Sequence, residues 1–480
     1  MLLIKNGWVI TCDGKKNEIK KGNLVIQDGI ITDINTKEDM GQERFDKVID
    51  AEGKFVMPGL INAHTHSYAN MVKATTENIP LEIWMLYIMA QGRCMDREDV
   101  YYNALLGSIE MIKTGTTSCV DHLAQSLDGL EAALQAYDDI GFRAAVAPMI
   151  SDKSYFETLP LNYAETPEEF KQANPSVESL IDTNITLLKK WHGKANRLSI
   201  MLGPSGPQRC SDELLRRCSQ LAEEYDTGVH SHVLETKIQA DTAVHLYGKP
   251  MVKHLDEIGC LNERFSMVHS VWLTDQEIKL AAQRGAIVVH NPASNLILGS
   301  GIAPINKYRE AGITVALGTD GANCGGNLNM FEAIKLAAML HKFSETNPNN
   351  WVTAEEAFKM STLNGSKVSL QDQKIGSLQI GKRADVVILN PEKSTPLLPL
   401  QEPMWQIVYG ESGAAVETVL IEGKVVLEDG KILTVDEKKV YQEVNKRAEK
   451  ITRSFLKFKD SVEKQGSYLQ KHLFSAKAKG

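Results

Sequence analysis

Eight short apolar runs, each followed by a longer segment of helical character, recur through the middle of the chain. Strands that alternate with helices in this way are typical of parallel α/β folds, and eight repeats are the count of a (β/α)8 TIM barrel. The alternative, a doubly wound open sheet, is disfavoured because no glycine-rich dinucleotide loop follows the first run. The runs are VMPGLINAHTH, TTSCVDH, FRAAVAPM, LSIMLGPS, GVHSHVL, FSMVHS, AIVVHN and TVALGTD.

Both flanks of this repeating region are rich in short strands that turns separate. Asp28-Gly29 and Glu52-Gly53 are turn signals on the N-terminal side, and similar β-rich stretches return on the C-terminal side. We therefore expect one small β-sandwich built from both ends of the chain, followed by a helical tail rich in lysine and glutamate. The predicted parts are the N-terminal part of the sandwich (1–57), the barrel (58–372), the C-terminal part of the sandwich (373–435) and the tail (436–480).

Composition narrows the classes of protein that the chain could belong to. The net charge of -8 argues against a nucleic-acid binder, and seven cysteines without a CxxC pair favour a reduced cytoplasm over a disulfide framework. The most apolar window, residues 79–90, is too short to cross a bilayer, and the first residues lack the layout of a signal peptide. We expect a cytoplasmic protein that binds neither nucleic acid nor membrane.

Histidines gather at the ends of the predicted strands. Side chains alternate along a strand, so His64 and His66 share one face, and the ends of all eight barrel strands meet at one mouth. Three histidines and one carboxylate that converge there suit a divalent metal such as zinc. The polar strand-end residues are His64, His66, His122, His230, His232, His269, His290 and Asp320, and Glu235 lies three residues after His232.

Each of these residues, taken alone, has a simpler explanation. A single histidine at a strand end is more often a hydrogen-bonded polar group than a ligand, and an aspartate before glycine, such as Asp320, is usually a turn residue. The joint pattern favours a site, because the chain has only 12 histidines and half or more of them follow predicted strands.

Five motifs carry a resemblance to a known family. PGLINAHTH, HVLET, SMVHS, HNPASNLILGSGIAP and LGTDGANCGGNLNMFE occur in that order. Together they resemble the amidohydrolase superfamily, and within it the branch of triazine hydrolases, guanine and cytosine deaminases and methylthioadenosine/S-adenosylhomocysteine deaminases. The resemblance covers nearly the whole chain.

The resemblance implies a role for each matching residue. Glu235 resembles the general acid/base, His269 the histidine that steadies the activated water, and Asp320 both a metal ligand and the acceptor of the water's proton. No lysine ends the fourth run, where two-metal members carry a carboxylated lysine, so the chain resembles a member with one divalent ion, zinc or alternatively iron. The implied metal ligands are His64, His66, His232 and Asp320.

The implied activity is hydrolytic removal of an exocyclic amino group from an aminated N-heterocycle, by attack of metal-bound hydroxide. Release of chloride or an alkylamine from a triazine, and hydrolysis of an acyclic amide or urea, stay open. A non-catalytic scaffold is disfavoured because all six catalytic-type positions are filled. A homodimer or homotetramer that acts on a small molecule is expected.

Substrate specificity depends on a second set of residues. Trp84 matches a tryptophan that lines the pocket in relatives, and Asn295 is assigned to the same pocket. Arg93 stands where nucleoside deaminases carry an acidic residue that binds ribose, and GPSGPQ, with Ser205 and Gln208, replaces their GPH motif. An arginine donates hydrogen bonds but cannot accept them, which favours a ring with a carbonyl or anionic group over an adenosine-type nucleoside. The alternative for Arg93 is a solvated charge on a helix.

Overall fold

The computed structural model describes residues 1–13, 18–38, 40–41 and 44–474, with side chains described outside 18–20. The strands are β1 (Leu2–Ile10), β2 (Glu18–Gln27), β3 (Ile30–Asn35), β4 (Lys47–Asp50), β5 (Phe55–Pro58), β6 (Leu60–Thr65), β7 (Thr116–Leu123), β8 (Arg143–Ile150), β9 (Leu198–Ile200), β10 (Gly203–Pro204), β11 (Val229–Val233), β12 (Phe265–His269), β13 (Ile287–His290), β14 (Val315–Leu317), β15 (Val386–Leu389), β16 (Val416–Ile421), β17 (Lys424–Glu428) and β18 (Lys431–Ile432).

The α-helices alternate with the strands through the middle of the chain. They are α1 (Leu81–Gly92), α2 (Arg97–Lys113), α3 (Leu127–Ile140), α4 (Val177–Trp191), α5 (Asp212–Glu224), α6 (Lys237–Tyr247), α7 (Met251–Glu257), α8 (Asp275–Arg284), α9 (Pro292–Ile297), α10 (Ile305–Glu310), α11 (Ala322–Gly325), α12 (Met330–Leu340), α13 (Ala354–Met360), α14 (Leu363–Val368), α15 (Pro403–Gly410), α16 (Glu437–Phe455) and α17 (Lys459–Leu469).

The parallel barrel strands form two hydrogen-bonded arcs. The first arc has the order β10-β8-β7-β6 with β9 also on β8, and the second has the order β11-β12-β13-β14. All eight predicted apolar runs form strands, and the fourth run forms two short ones, β9 and β10. Nearly every residue of these strands is buried, as parallel strands covered by helices require.

Two seams join the arcs. At one seam the His230 N–H donates to the Leu202 carbonyl (2.8 Å). At the other, the Asp320 N–H donates to the His64 carbonyl (3.0 Å), and the Thr319 N–H donates to Oδ1 of Asn62 (3.0 Å). These bonds close the curled parallel sheet and bring the end of β6 beside the end of β14.

Local sequence explains why the outer segments are helices. In α8 a capping box joins Thr274 and Glu277, and the helix ends at Gly285 with φ of 73°. The buried residues of α5 recur at three- and four-residue intervals, so one face of this helix packs on the barrel. They are Leu214, Leu215, Cys218, Leu221 and Ala222.

Both ends of the chain contribute to one nine-stranded sheet. Its order is β18-β17-β16-β15-β5-β1-β2-β3, with β4 on β1. Strand β5 pairs with β1 in parallel and with β15 in antiparallel orientation, so the N-terminal and C-terminal parts meet at β5. The two parts are continuous in hydrogen bonding, and the division of the chain into a two-part sandwich, a barrel and a tail stays a prediction.

The chain passes from this sheet to the barrel at Gly59. A Cβ at this position would lie 2.0 Å from Oγ1 of Thr117, so only glycine fits the crossing. A buried ion pair also joins the two units, because Arg143 of β8 binds Asp385 (2.6 Å) and Glu422 (2.8 Å) of the sheet.

The predicted tail corresponds to α16 and α17, and its last residues, 475–480, lie outside the described part of the chain. Helix α17 lies against α1, where a Cβ at Gly466 would be 3.3 Å from Cγ2 of Ile83. Among the described helices, none combines the length and the apolar character that crossing a bilayer requires. All seven cysteines are free thiols.

Candidate active site

The strand-end residues predicted as metal ligands lie together at one mouth of the barrel. His64 is in β6 and His66 follows it, His232 is in β11, and Asp320 follows β14. One ligand atom from each of His64, His66 and His232 lies within 4.8 Å of the others. Asp320 Oδ1 is 3.2 Å from Nε2 of His66 and 3.5 Å from Nε2 of His64. The four side chains therefore form one cluster.

This donor set fits a divalent ion. Nε2 of His64 is buried and has no hydrogen-bond partner among the described residues, which is costly unless another group binds it. Nε2 of His232 faces Nε2 of His66 at 3.4 Å. Ring nitrogens that face one another beside a carboxylate are the arrangement that zinc and similar ions bind.

Hydrogen bonds at the far side of each ring fix the orientation of the histidines. Nδ1–H of His66 donates to the His122 carbonyl, and Nδ1–H of His232 donates to the Ser205 carbonyl (2.5 Å). Each bond leaves Nε2 with its lone pair toward the cluster, the arrangement found around metal-binding histidines. Burial lowers the pKa of His232 to about 3, so this ring is neutral at neutral pH.

Asp320 is held in place by its own backbone and by two donors. Ser294 Oγ donates to Oδ2 (2.7 Å) and the Gly321 N–H donates to Oδ1 (2.7 Å). Its φ of 64° lies in the left-handed region, which costs a non-glycine residue about 1–2 kcal/mol. Burial alone would raise the pKa of Asp320, but the close approach of the His64 and His66 rings outweighs it and holds that pKa well below its usual range.

Glu235 lies opposite this cluster as a buried carboxylic acid. Its Oε2 is 3.6 Å from Nε2 of His269, and Ser300 Oγ donates to its Oε1 (3.3 Å). Burial, and then the charge of Asp320, raise the pKa of Glu235 well above its usual value. This shift favours the protonated form of Glu235, which can donate a proton.

His269 lies between Glu235 and Asp320. Its Nε2 is 3.7 Å from Oδ2 of Asp320, and its Nδ1–H donates to Oδ1 of Asn295 (2.9 Å). Burial lowers the pKa of His269, so the ring is neutral and its Nε2 is a hydrogen-bond acceptor.

A cavity of about 730 Å³, which includes space open to solvent, joins these groups to a pocket with apolar and aromatic walls. Trp84, Ser205 and Gln208, three of the predicted substrate residues, line it. The other walls come mainly from Tyr68, Leu81, Met85, Met149, Tyr155, Leu159, Ile238 and Leu298. Flat apolar walls of this kind suit a planar ring.

Two predicted substrate residues lie elsewhere. Arg93 follows α1, is exposed and donates to Oε1 of Gln172 (2.8 Å); it lines a second, outer cavity and not the inner one. Asn295 is buried behind His269 and contacts its Nδ1. Arg93 thus matches the alternative of a solvated charge, and Asn295 contacts the ring of His269; a direct role in substrate binding stays a prediction for both.

Sequence reasoning missed several residues of the site. His230 bonds Nδ1 of His64 through its Nε2 (2.8 Å), and the His122 carbonyl supports His66. Both were noted at strand ends without a role. Arg209 lines the inner and the outer cavity, and the letters PQR, directly after Ser205-Gly206, were the available signal.

A parallel barrel whose strand ends join a metal-type cluster of histidines and aspartate to a buried glutamate defines a class, the metal-dependent barrel hydrolases. Comparison with known proteins specifies the family. Residues 55–426 match the amidohydrolase family. The chain therefore belongs to the amidohydrolase family, as its motifs predicted.

Relatives that match most of the chain are named as deaminases. The 5'-deoxyadenosine deaminase of Methanosarcina mazei is 36% identical over 452 residues, which are 94% of this chain and 98% of that protein. The 5-methylthioadenosine/S-adenosylhomocysteine deaminase of Thermococcus sibiricus is 37% identical over 427 residues, 89% of this chain and 94% of that protein. The predicted class, a hydrolase of carbon–nitrogen bonds, is confirmed.

Solved structures show the same fold. An adenosine deaminase from Xanthomonas campestris with bound zinc has a TM-score of 0.83 and 26% identity, and the match covers 94% of this chain and 98% of that one. An atrazine chlorohydrolase from Arthrobacter aurescens, complexed with zinc, has a TM-score of 0.84 and 24% identity over 93% of this chain and 100% of that one. The predicted (β/α)8 barrel is confirmed.

Proposed function

We propose that this protein is a metal-dependent aminohydrolase that removes an exocyclic amino group from an aminated N-heterocycle. One observation carries the proposal: the buried Glu235, whose pKa is raised, faces His269 and the cluster around Asp320 across a cavity with aromatic walls. A proton donor beside a cation site is the pairing that hydrolysis of a ring C–N bond requires.

One divalent ion, zinc or iron, would be held by four side chains. When bound, it supplies a water activated for attack at neutral pH. The ligand types fit either metal, because affinity alone does not select between them. The proposed ligands are His64, His66, His232 and Asp320.

The protein's own groups move the protons. Glu235 gives its proton to a ring nitrogen beside the carbon that bears the amino group, which makes that carbon electrophilic. His269 orients the attacking water through Nε2, and Asp320 accepts one proton from the water as its oxygen bonds to the ring carbon.

Collapse of this adduct completes the reaction. The proton held by Asp320 passes to the amino group, the C–N bond breaks, and ammonia leaves. The added hydroxyl returns its proton to Glu235, so the product carries a ring carbonyl and both carboxyl groups regain their starting states.

The substrate class is narrower than N-heterocycles in general. Relatives above 30% identity are named for adenosine derivatives, which supports a purine-type ring. Arg93 no longer argues against a nucleoside, since its side chain lies outside the inner cavity. Chloride release from triazines finds less support, because the triazine hydrolases at 24% identity share the fold alone.

An assay panel tests the proposed function. Metal-loaded protein is incubated with aminated purines and their nucleosides, a pterin, cytosine and chlorinated and alkylaminated triazines, and ammonia, chloride and alkylamine are measured. We expect ammonia from a purine-type compound. Release of chloride or alkylamine alone, or no release from any ring, would overturn the proposal.

The ligand set has its own test. His64→Ala and His232→Ala should each lose bound metal and activity together, because each removes one of four donors. His245→Ala, an exposed histidine on α6, is the matched control and should keep both. Elemental analysis after purification without added metal gives the readout, and two equivalents per chain would contradict a single site.

A further inference from the structure

Arg209 stands apart from the other arginines near the barrel mouth because nothing described in the protein neutralises it. It ends the short 3-10 turn Pro207–Arg209, directly after Gln208, and its side chain lies where the inner cavity meets the outer one. The guanidinium is held over the ring of Tyr155, with Cζ 5.2 Å from the ring centroid.

No described carboxylate pairs with this guanidinium. Its Nε is buried and has no hydrogen-bond partner among the residues that the structure describes. The side chain of Arg209 is half-buried. Burial of its Nε without a partner is costly, since the lost hydration is not replaced. Burial accordingly lowers the pKa of Arg209 from its ordinary value.

Arg143 is a buried arginine of the same fold that has a structural role, and its environment can be compared with that of Arg209. Its guanidinium binds Asp385 at 2.6 Å and Glu422 at 2.8 Å, and the pKa of Arg143 is raised. Arg209 has the opposite environment, which indicates that its partner is supplied from outside the chain.

The neighbours of Arg209 indicate what that partner carries. Ser205 and Gln208, from the same loop, line the inner cavity beside it, and their hydroxyl and amide N–H groups can donate to the same ligand. A guanidinium donates hydrogen bonds and accepts none, and it binds oxyanions in a fork geometry. The matching ligand group is a negatively charged oxygen.

We propose that Arg209 is a specificity-determining residue that binds an anionic oxygen of the substrate, while the amino-bearing carbon lies at Glu235 and the metal cluster. This proposal rests on the proposed aminohydrolase function and narrows its substrate to an N-heterocycle with an acidic group. The anion is an ionised ring oxygen or a carboxylate on a substituent. In either case the guanidinium of Arg209 donates hydrogen bonds to a negatively charged oxygen.

Two matched pairs of substrates distinguish these sources. Guanine and 8-oxoguanine differ by one ring oxygen that can ionise, and 5'-methylthioadenosine and S-adenosylhomocysteine differ by a chain that ends in a carboxylate and an ammonium group. Steady-state kcat and KM are measured for wild type, Arg209→Gln and Arg209→Lys. Arg217→Gln is the control, since Arg217 is an exposed arginine of α5 that lines neither cavity.

We expect wild type to prefer the anionic member of one pair. Arg209→Gln should lower kcat/KM for that member by about 10- to 150-fold, mainly through KM, because one charge-assisted hydrogen bond is lost. The neutral member should change by less than about threefold. Arg209→Lys should recover part of the loss, and Arg217→Gln should change neither member.

Two results would overturn the proposal. One is an equal loss for both members of each pair, with normal metal content and thermal midpoint, which would make Arg209 a structural residue. The other is a wild-type preference for both neutral members. If wild type releases ammonia from no compound, the proposed function fails. The Arg209 proposal is then tested separately, by measuring how the same compounds shift the thermal midpoints of wild type and Arg209→Gln. Equal shifts for both proteins, or no shift with the anionic members, would reject it.

Discussion

Glu235 is the residue on which the proposed proton transfers depend. Glu235→Gln keeps the shape of the side chain and all proposed metal ligands but removes the transferable proton. We expect metal content to stay at the wild-type level while kcat falls by about 10²- to 10⁴-fold. Elemental analysis and steady-state kinetics on the same preparation measure both, and near-normal turnover would show that another group carries the proton.

The pH profile gives a second prediction for the same residue. Burial and Asp320 raise the pKa of Glu235, so the acid form is present below this raised pKa and is lost as the pH rises through it. For wild type, kcat/KM should therefore fall on the basic side of the profile. In Glu235→Gln the residual activity should lack this fall; if the basic limb is unchanged, it belongs to a different group.

Asn295 should act on catalysis through His269. Asn295→Ala removes the acceptor of the Nδ1–H bond, worth about 0.5–1.5 kcal/mol, so the ring loses its fixed orientation. We expect kcat to fall by about 2- to 12-fold, equally for every substrate, with KM little changed. Kinetics with two unlike substrates provide the measurement, and a KM effect confined to one substrate would restore the original assignment to substrate binding.

At the scale of single elements, regular spacing was predictable and side-chain direction at irregular positions was not. The period of two in a strand sufficed to place His64 and His66 together, and each apolar run identified a barrel strand. The substrate role of Arg93 was inferred from its separation from Trp84 along the sequence, but α1 ends at Gly92. Past a helix end, packing against distant loops decides the direction of a side chain.

The same limit explains Asn295 and Arg209. The motif around Asn295 placed it near the mouth, yet only the three-dimensional fold shows that His269 stands between it and the cavity. Arg209 follows a recognised motif by one residue, and its lack of a carboxylate partner is a property of distant chain segments that no local pattern contains.

Helix α17 should control the pocket through α1. Gly466→Val places a side chain where Cγ2 of Ile83 already lies 3.3 Å from an ideal Cβ, and overpacking of this kind costs about 1–3 kcal/mol. Because α1 also carries Trp84, we expect a lower thermal midpoint together with a higher KM. Lys464→Val, exposed on the same helix, is the control for the helix propensity of valine.

If Gly466→Val lowers the midpoint and leaves KM unchanged, the tail supports stability alone. If Lys464→Val has an equal effect on the midpoint, helix propensity and not the contact with α1 is responsible.

At the scale of the whole molecule, the proposed ion bridges the two arcs of the barrel. His64 and His66 belong to the first arc, and His232 and Asp320 to the second. Binding to the closed barrel stabilises it by RT ln(1 + [L]/Kd), about 2.7 kcal/mol when free metal is at 100 times Kd.

The predicted homodimer or homotetramer stays a prediction.

Removal of metal should therefore loosen the seams first. After chelation, we expect faster hydrogen exchange at the Asp320 and His230 amides, whose bonds join the arcs. The Val387 amide, within the nine-stranded sheet, should exchange as before. Uniform acceleration at all three sites would indicate global destabilisation, and no change at the seams would show that the barrel closes without the ion.

Because the proposed ligands belong to two different arcs, they are synthesised at different times during translation. His64 and His66 leave the ribosome early, but Asp320 appears only when about two-thirds of the 480 residues have been made. A nascent chain thus exposes two histidines without their partners, a weak and unselective site. We expect the cell to load the ion after translation of the second arc, so the metal supply at that moment, and not during early elongation, decides which ion the finished protein carries.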